Sequence, residues 1–183
     1  MKASSGYPPW CVRIHGAIAL ATLALVGAAC RSAEAQDPRS LRAEIDRHHP
    51  GVPWITTDRL AEWLSAPDGD RPVLLDARRQ EEFGTSHLEG AIRVDPDRPD
   101  IASLPLPRDA RVVVYCSVGY RSADVGRQIQ AAGHRRVWNL LGGLFQWANE
   151  GRPLIRGAEP TRLVHPYDSE WGRYLRRRYR APL

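Results

Sequence analysis

The tightest constraint on this chain is the stretch Arg111-Val-Val-Val-Tyr-Cys116-Ser-Val-Gly-Tyr-Arg121-Ser122. A run of β-branched and aromatic residues, apolar on both faces, reads as a strand buried in a parallel sheet. It ends in a cysteine. A short loop with one glycine and one arginine follows, and residues 122–132 read as a helix. That helix directs Val125, Ile129 and Ala132 inward and stops at Gly133. Cys116 is therefore expected at the C-terminal end of a central strand, where open α/β sheets carry their ligands. The loop N–H groups of Ser117, Val118, Gly119, Tyr120 and Arg121, with the helix N-terminus at Ser122, gather negative charge. A thiolate is stabilised there, its pKa falls, and it becomes a nucleophile near neutral pH. Arg121 adds a permanent positive charge and a fork of donors. A buried core cysteine is the plain alternative, but it leaves the glycine and the arginine without a purpose.

The length of 183 residues allows one ordinary domain plus extensions, and 43% apolar residues suffice for a core. The first 35 residues read as an export signal. Lys2 and Arg13 precede an apolar run, Ala17 to Ala29, that is too short to span a membrane. Two processing sites compete: Ala33-Glu34-Ala35, with cleavage before Gln36, and Cys30 as a lipidated cysteine, with Gly27 where a leucine is usual. The expected location is the periplasm, either soluble or anchored through Cys30. Cleavage before Gln36 removes Cys11 and Cys30, and the remaining Cys116 can form no internal disulfide.

Residues 36–53 are polar and read as a solvated linker, with a short helix near 39–49. The adjacent His48 and His49 diverge on any regular element, so they do not form a metal site. From Trp54 the pattern alternates. A strand at 54–57 leads to a helix at 58–65, capped by Thr56 or Thr57, with Leu60, Trp63 and Leu64 on one face. A turn at 67–70 precedes a strand from Val73 to Arg78. A short helix at 80–84, a turn through His87 and Gly90, and a strand at 91–94 follow. After the proline-rich loop at 95–107 and the central strand, a strand at 137–141 and a helix at 144–150 close a domain ending near Pro153. Alternating strands and helices argue an α/β layer architecture.

The tail differs. Residues 152–183 hold eight arginines against Glu159, Asp168 and Glu170, whereas residues 36–151 hold fifteen arginines against seventeen acids. The excess positive charge of the mature chain thus lies in a basic extension, 154–183. Asp168 can cap an amphipathic helix there, with Trp171, Tyr174, Leu175 and Tyr179 on one stripe. Export argues against nucleic acid as its partner. Anionic headgroups at a membrane or an acidic protein fit better, and packing on the domain is the default.

Three signatures in order resemble the rhodanese-like sulfurtransferases. The first is Leu74-Leu-Asp76-Ala-Arg78 with Glu82-Phe83 and Ser86-His87-Leu88-Glu89-Gly90-Ala91; the family more often has Gly-His-Ile-Pro-Gly-Ala in the last segment. The second is the Cys116 loop, and the third is Leu141-Gly142-Gly143 with Trp147 and Gly151-x-Pro153. The resemblance spans about residues 54–153 and implies a three-layer α/β fold around a five-stranded, mainly parallel sheet. It also implies sulfur transfer without a cofactor or metal. The Cys116 thiolate would take the outer sulfur of thiosulfate or a similar anionic donor and pass it, as a persulfide, to cyanide or a thiol. A protein acceptor served by a sulfur-relay module is the rival reading. Backbone N–H groups of residues 117–121 would hold the persulfide. Relatives that act on phosphate carry five residues between the cysteine and the arginine; the four here suit one extra sulfur atom. Arg78 is a candidate for substrate binding at the pocket mouth, or else salt-bridges within the fold. Asp76 is expected as a structural acid bonding loop N–H groups, and His87 as a supporting turn residue.

Overall fold

The computed structural model describes residues 35–67 and 69–183. The expected leader, Cys30 included, lies outside the described residues apart from Ala35, as does Asp68 in the turn at 67–70. Among the described residues no helix is long and apolar enough to cross a membrane.

The valine-rich run is the middle of the molecule. Strand β4 (Val112–Tyr115) is buried at every residue. It lies between β2 (Val73–Asp76) and β5 (Val137–Leu140), with β3 (Ile92–Arg93) outside β2 and β1 (Trp54–Ile55) outside β5. All four pairings are parallel. Because side chains alternate along a strand, Val113 and Tyr115 enter one core while Val112 and Val114 enter the other. The first core holds Leu60 of α2 (Thr57–Leu64) and Leu144, Phe145 and Trp147 of α5 (Gly143–Asn149). The second holds Val125 and Ile129 of α4 (Tyr120–Ala131). The short α3 (Gln80–Thr85) follows β2, and Thr56 caps α2 by accepting from the Arg59 N–H at 3.2 Å. This is the expected α/β architecture, with every strand of the sheet parallel.

Four expectations need correction. The polar segment before β1 is not a solvated linker. The expected short helix is present, as a 3-10 turn (Pro38–Leu41) leading into α1 (Arg42–His48), but it docks: Ile45 is buried and Asp46 accepts from the Trp54 indole N–H at 2.7 Å. Ala132, expected inside, is exposed just past the end of α4. Beyond Pro153 the chain forms an antiparallel hairpin, β6 (Leu154–Arg156) with β7 (Glu159–Thr161). Ile155 of this hairpin exchanges backbone hydrogen bonds with His87 at 2.9 and 3.0 Å.

The tail holds no amphipathic α-helix. It forms two 3-10 turns, Trp171–Tyr174 and Arg177–Tyr179. Asp168 does cap the first, accepting from the Trp171 N–H at 2.8 Å. Asn149, at the end of α5, explains the break: its amide donates to the Tyr174 carbonyl and accepts from the Arg176 N–H, each at 2.8 Å. Those backbone groups are unavailable to a helical ladder. The apolar tail residues are nonetheless core residues, with Val164, Tyr174, Leu175 and Tyr179 all buried in the first cluster. Val164 also exchanges backbone bonds with Tyr179 and Ala181. The tail is therefore part of the domain. Leu175→Ala is expected to destabilise the protein by about 2–5 kcal/mol through loss of burial and the cavity left behind. Denaturant unfolding checks this; a detachable tail would leave the midpoint unchanged.

Candidate active site

Cys116 directly follows β4, and its loop is held in place by its carbonyls. The N-terminal amides of α5 take them: Leu144 N–H donates to Cys116 O at 2.9 Å and Phe145 N–H to Ser117 O at 3.0 Å. With the carbonyls drawn toward α5, the following amides are free to face the sulfur. Gly119 N–H donates to Cys116 Sγ at 3.2 Å. The close approach requires Gly143, because a Cβ there would stand 2.5 Å from Cys116 O, and its φ of +57° also favours glycine. Gly119, at φ +107°, packs against the Trp54 ring, where a Cβ would stand 2.9 Å from the indole. The far side of the loop is tied to β5. Asn139 is fully buried, donates to Gly119 O at 2.8 Å and accepts from the Ser122 hydroxyl at 2.8 Å.

Burial pushes the Cys116 thiol up. The Arg121 charge, the Ser122 hydroxyl and the Ser122 and Val118 amides outweigh that and hold it below its ordinary value. Arg121 is itself anchored. Its two terminal nitrogens meet Glu82 at 2.7 and 2.8 Å, one of them also meets the Ser117 hydroxyl at 3.1 Å, and Ser117 donates to Glu82 at 2.9 Å. Glu82 is 1% exposed. Burial raises its pKa, but the Arg121 fork and the Arg78 and Arg79 contributions win, leaving it below the usual glutamate value. Glu82 also accepts from the Arg79 N–H at 3.1 Å, so one carboxylate caps α3 and fixes the loop arginine.

A cavity of about 150 Å³ opens on the sulfur. It is lined by Cys116, Ser117, Val118, Tyr120 and Arg121 from the loop and by Tyr167 and Trp171 from the tail. Of the expected site residues, 116–122 thus meet in one place, with Ser122 just behind the sulfur. Arg78 is elsewhere. It is fully buried and paired with Asp76 at 2.8 and 2.6 Å, so it neither lines the cavity nor reaches a substrate. Asp76 bonds that guanidinium; the loop N–H groups are served otherwise. His87 stacks on Phe83 with ring centroids 3.9 Å apart, and its Nδ1 lies 3.0 Å from Phe83 O, in a supporting place away from the sulfur. Among the described residues no three or more of His, Cys, Asp and Glu cluster as metal ligands would.

Sequence reasoning missed Glu82, Asn139, Tyr167 and Trp171 as site residues. Glu82 had a readable signal, an acid at the third position of a helix, where it reaches back to the cap. Asn139 had a weaker one, a lone amide in an otherwise apolar strand. The two tail aromatics had none, since they arrive from some fifty residues away.

Residues 56–150 match the rhodanese-like domain family. The chain belongs to that family. A sulfurtransferase of Allochromatium vinosum is 30% identical over 101 residues, 55% of this chain and 92% of that protein. The probable adenylyltransferase/sulfurtransferase MoeZ of Mycobacterium tuberculosis is 31% identical over 101 residues, 54% of this chain but 25% of that longer protein. A thiosulfate sulfurtransferase from Pseudomonas aeruginosa superposes with a TM-score of 0.50 at 28% identity, covering 66% of this chain and 22% of that one. The polysulfide-sulfur transferase of Wolinella succinogenes, at 20% identity and a TM-score of 0.52, shares the fold over 63% of this chain and 87% of its own. The rhodanese-like domain is thus a recurring unit, and here it carries a tail that completes its pocket.

The depressed Glu82 pKa makes a signed prediction. Stability from the Glu82–Arg121 pair is fully present above the ordinary glutamate value and is lost as pH falls through the lower folded value. The stability difference between wild type and Glu82→Gln should therefore shrink on acidification, as thermal melts across pH would show. Cys116 alkylation should have an inflection shifted down from that of a free thiol, and Arg121→Gln should move it upward in a rate–pH profile with iodoacetamide.

Proposed function

We propose that this rhodanese-like protein is a sulfurtransferase that takes a sulfane sulfur from thiosulfate or a similar donor onto Cys116 and hands it to cyanide or a thiol. The observation that carries the reading is the Cys116 sulfur, held by the Gly119 N–H and lowered in pKa by Arg121, at the floor of an open cavity. The thiolate attacks the outer sulfur of the donor; the Sγ–S bond forms as the donor S–S bond breaks, and sulfite leaves with the electron pair. The loop amides, already turned toward Sγ, hold the persulfide anion at little reorganisation cost. In the second half-reaction the acceptor attacks the outer sulfur and the Cys116 thiolate is the leaving group. No separate base is invoked, because Arg121 and the loop N–H groups favour the thiolate. The likeness to sulfurtransferases of A. vinosum and P. aeruginosa supports the same chemistry.

A second reading is favoured by the exposed Arg176, Arg177 and Arg178, which follow the cavity-lining turn in the tail. In it, Cys116 relays sulfur to one acidic protein partner. Either reading is proposed to operate in the periplasm, after cleavage before Gln36 or anchored through Cys30.

Thiosulfate and cyanide are expected to give thiocyanate with the wild type and none above background with Cys116→Ala. Intact mass after donor treatment should show one sulfur atom on Cys116, removed by cyanide. Undiminished turnover by the alanine variant would end the proposal.

A further inference from the structure

The charge around Cys116 is nearly spent before any substrate arrives. Among the described residues lining the cavity, Arg121 is the only cation, and both its terminal nitrogens are engaged by the buried Glu82 carboxylate. With Cys116 ionised, the group of Cys116, Arg121 and Glu82 carries one net negative charge. Of the loop amides that could offset more, those of Val118, Gly119 and Ser122 are already directed at the sulfur. Arg79 packs by Tyr167 at 5.8 Å and pairs with Asp97 at 3.7 Å, but it does not line the cavity. A dianion placed here meets repulsion in a partly desolvated site whose one lining cation is already taken.

Apart from Ser117, whose hydroxyl is turned to Glu82, the remaining walls are Val118, Tyr120, Tyr167 and Trp171, apolar or aromatic. Tyr167 reaches its place at a cost. Among the described residues it is the only non-glycine residue with positive φ, at +70°. The turn around it is bonded on both sides: Tyr167 N–H donates to His165 Nδ1 and Asp168 N–H to Pro166 O, each at 3.0 Å. The result is a phenol ring 5.0 Å from the Arg121 guanidinium, at the edge of the cavity. A strained residue that delivers an aromatic ring to a nucleophile is an observation that asks for a function. The stacked ring also covers the one cation that a dianion would seek.

We infer that Tyr167 and Trp171 are specificity-determining residues of the Cys116 site, and that its donor is a monoanionic sulfane compound with an organic body, such as a thiosulfonate, in preference to the thiosulfate dianion. This rests on the persulfide reading and narrows its donor. The step balances: the Cys116 thiolate attacks the terminal sulfur of R–SO2–S⁻, the Sγ–S bond forms, the S–S bond to the sulfonyl breaks, and a sulfinate leaves with the electron pair. The sulfane sulfur stays as the Cys116 persulfide, and no proton or external oxidant enters. The organic group lies against the two tail aromatics.

The test compares thiosulfate, methanethiosulfonate and benzenethiosulfonate as donors to the full chain, with cyanide as acceptor. Each rate is normalised to that of the same donor with a small free thiolate. Methanethiosulfonate keeps the reacting sulfur and nearly the size of thiosulfate while shedding one charge; the benzene compound adds a ring. Both monoanions should exceed thiosulfate in kcat/KM by about tenfold or more, benzenethiosulfonate furthest. In Tyr167→Gly, whose backbone suits a φ of +70°, and in Trp171→Ala, the advantage of benzenethiosulfonate over methanethiosulfonate should collapse through KM. Thiosulfate equalling the monoanions in the wild type, or both variants retaining the ring preference, overturns the inference. Intact mass separates the two levels. One sulfur on Cys116 with thiosulfate as the best donor sinks the donor assignment alone, whereas no sulfur on Cys116 from any donor sinks the persulfide reading with it.

Discussion

The site depends on which way a few peptide units point. A buried thiolate is costly unless donors are already aimed at it, and a loop of this size can aim its N–H groups inward only if its carbonyls have somewhere else to go. Here the first turn of α5 receives them, through Leu144 and Phe145. That contact brings two backbones closer than any side chain permits, so it hangs on the absence of a Cβ at Gly143. The sheet contributes the other half by ending β4 at the residue before the cysteine and by supplying Asn139 from β5 to grip the loop from behind. The nucleophile is thus a product of helix, strand and turn together, with the side chains of Arg121 and Ser122 refining what the backbone has begun.

Glu82 then decides how the site's charge is used. An arginine beside a thiolate could serve either the thiolate or an incoming anion. With a buried carboxylate holding its fork and a tyrosine ring against its face, Arg121 is fixed near the sulfur. The arrangement is rigid because each member also bonds elsewhere. Glu82 caps α3, Ser117 bridges Glu82 and Arg121, and Tyr167 belongs to a hydrogen-bonded turn.

Much of this was legible in the sequence because it is local. The valine run named the central strand, and the glycine and arginine after Cys116 named the loop. The ends of α2, α3, α4 and α5 fall within two residues of where capping and periodicity put them. What escaped was set by distant partners. Apolar spacing in the tail correctly marked Tyr174, Leu175 and Tyr179 as inward-facing, but the helix it suggested loses its backbone partners to Asn149. The segment before β1 looked solvated because its few packing residues, Pro38, Leu41, Ile45 and Val52, are scattered among polar ones. Arg78 looked available to a pocket, and Asp76 to the loop N–H groups; lying two residues apart at a strand end, they pair with one another in the interior. The hairpin was not read from the sequence; its second strand is short and holds Pro160, a residue tolerated only at a sheet edge.

The roof over the sulfur comes from residues 167 and 171, whereas the sulfur belongs to residue 116. Ribosomes deliver these in order, and domains fold as the chain emerges. A nascent chain therefore presents its reactive atom without this roof until residues 167 and 171 have been made and have docked.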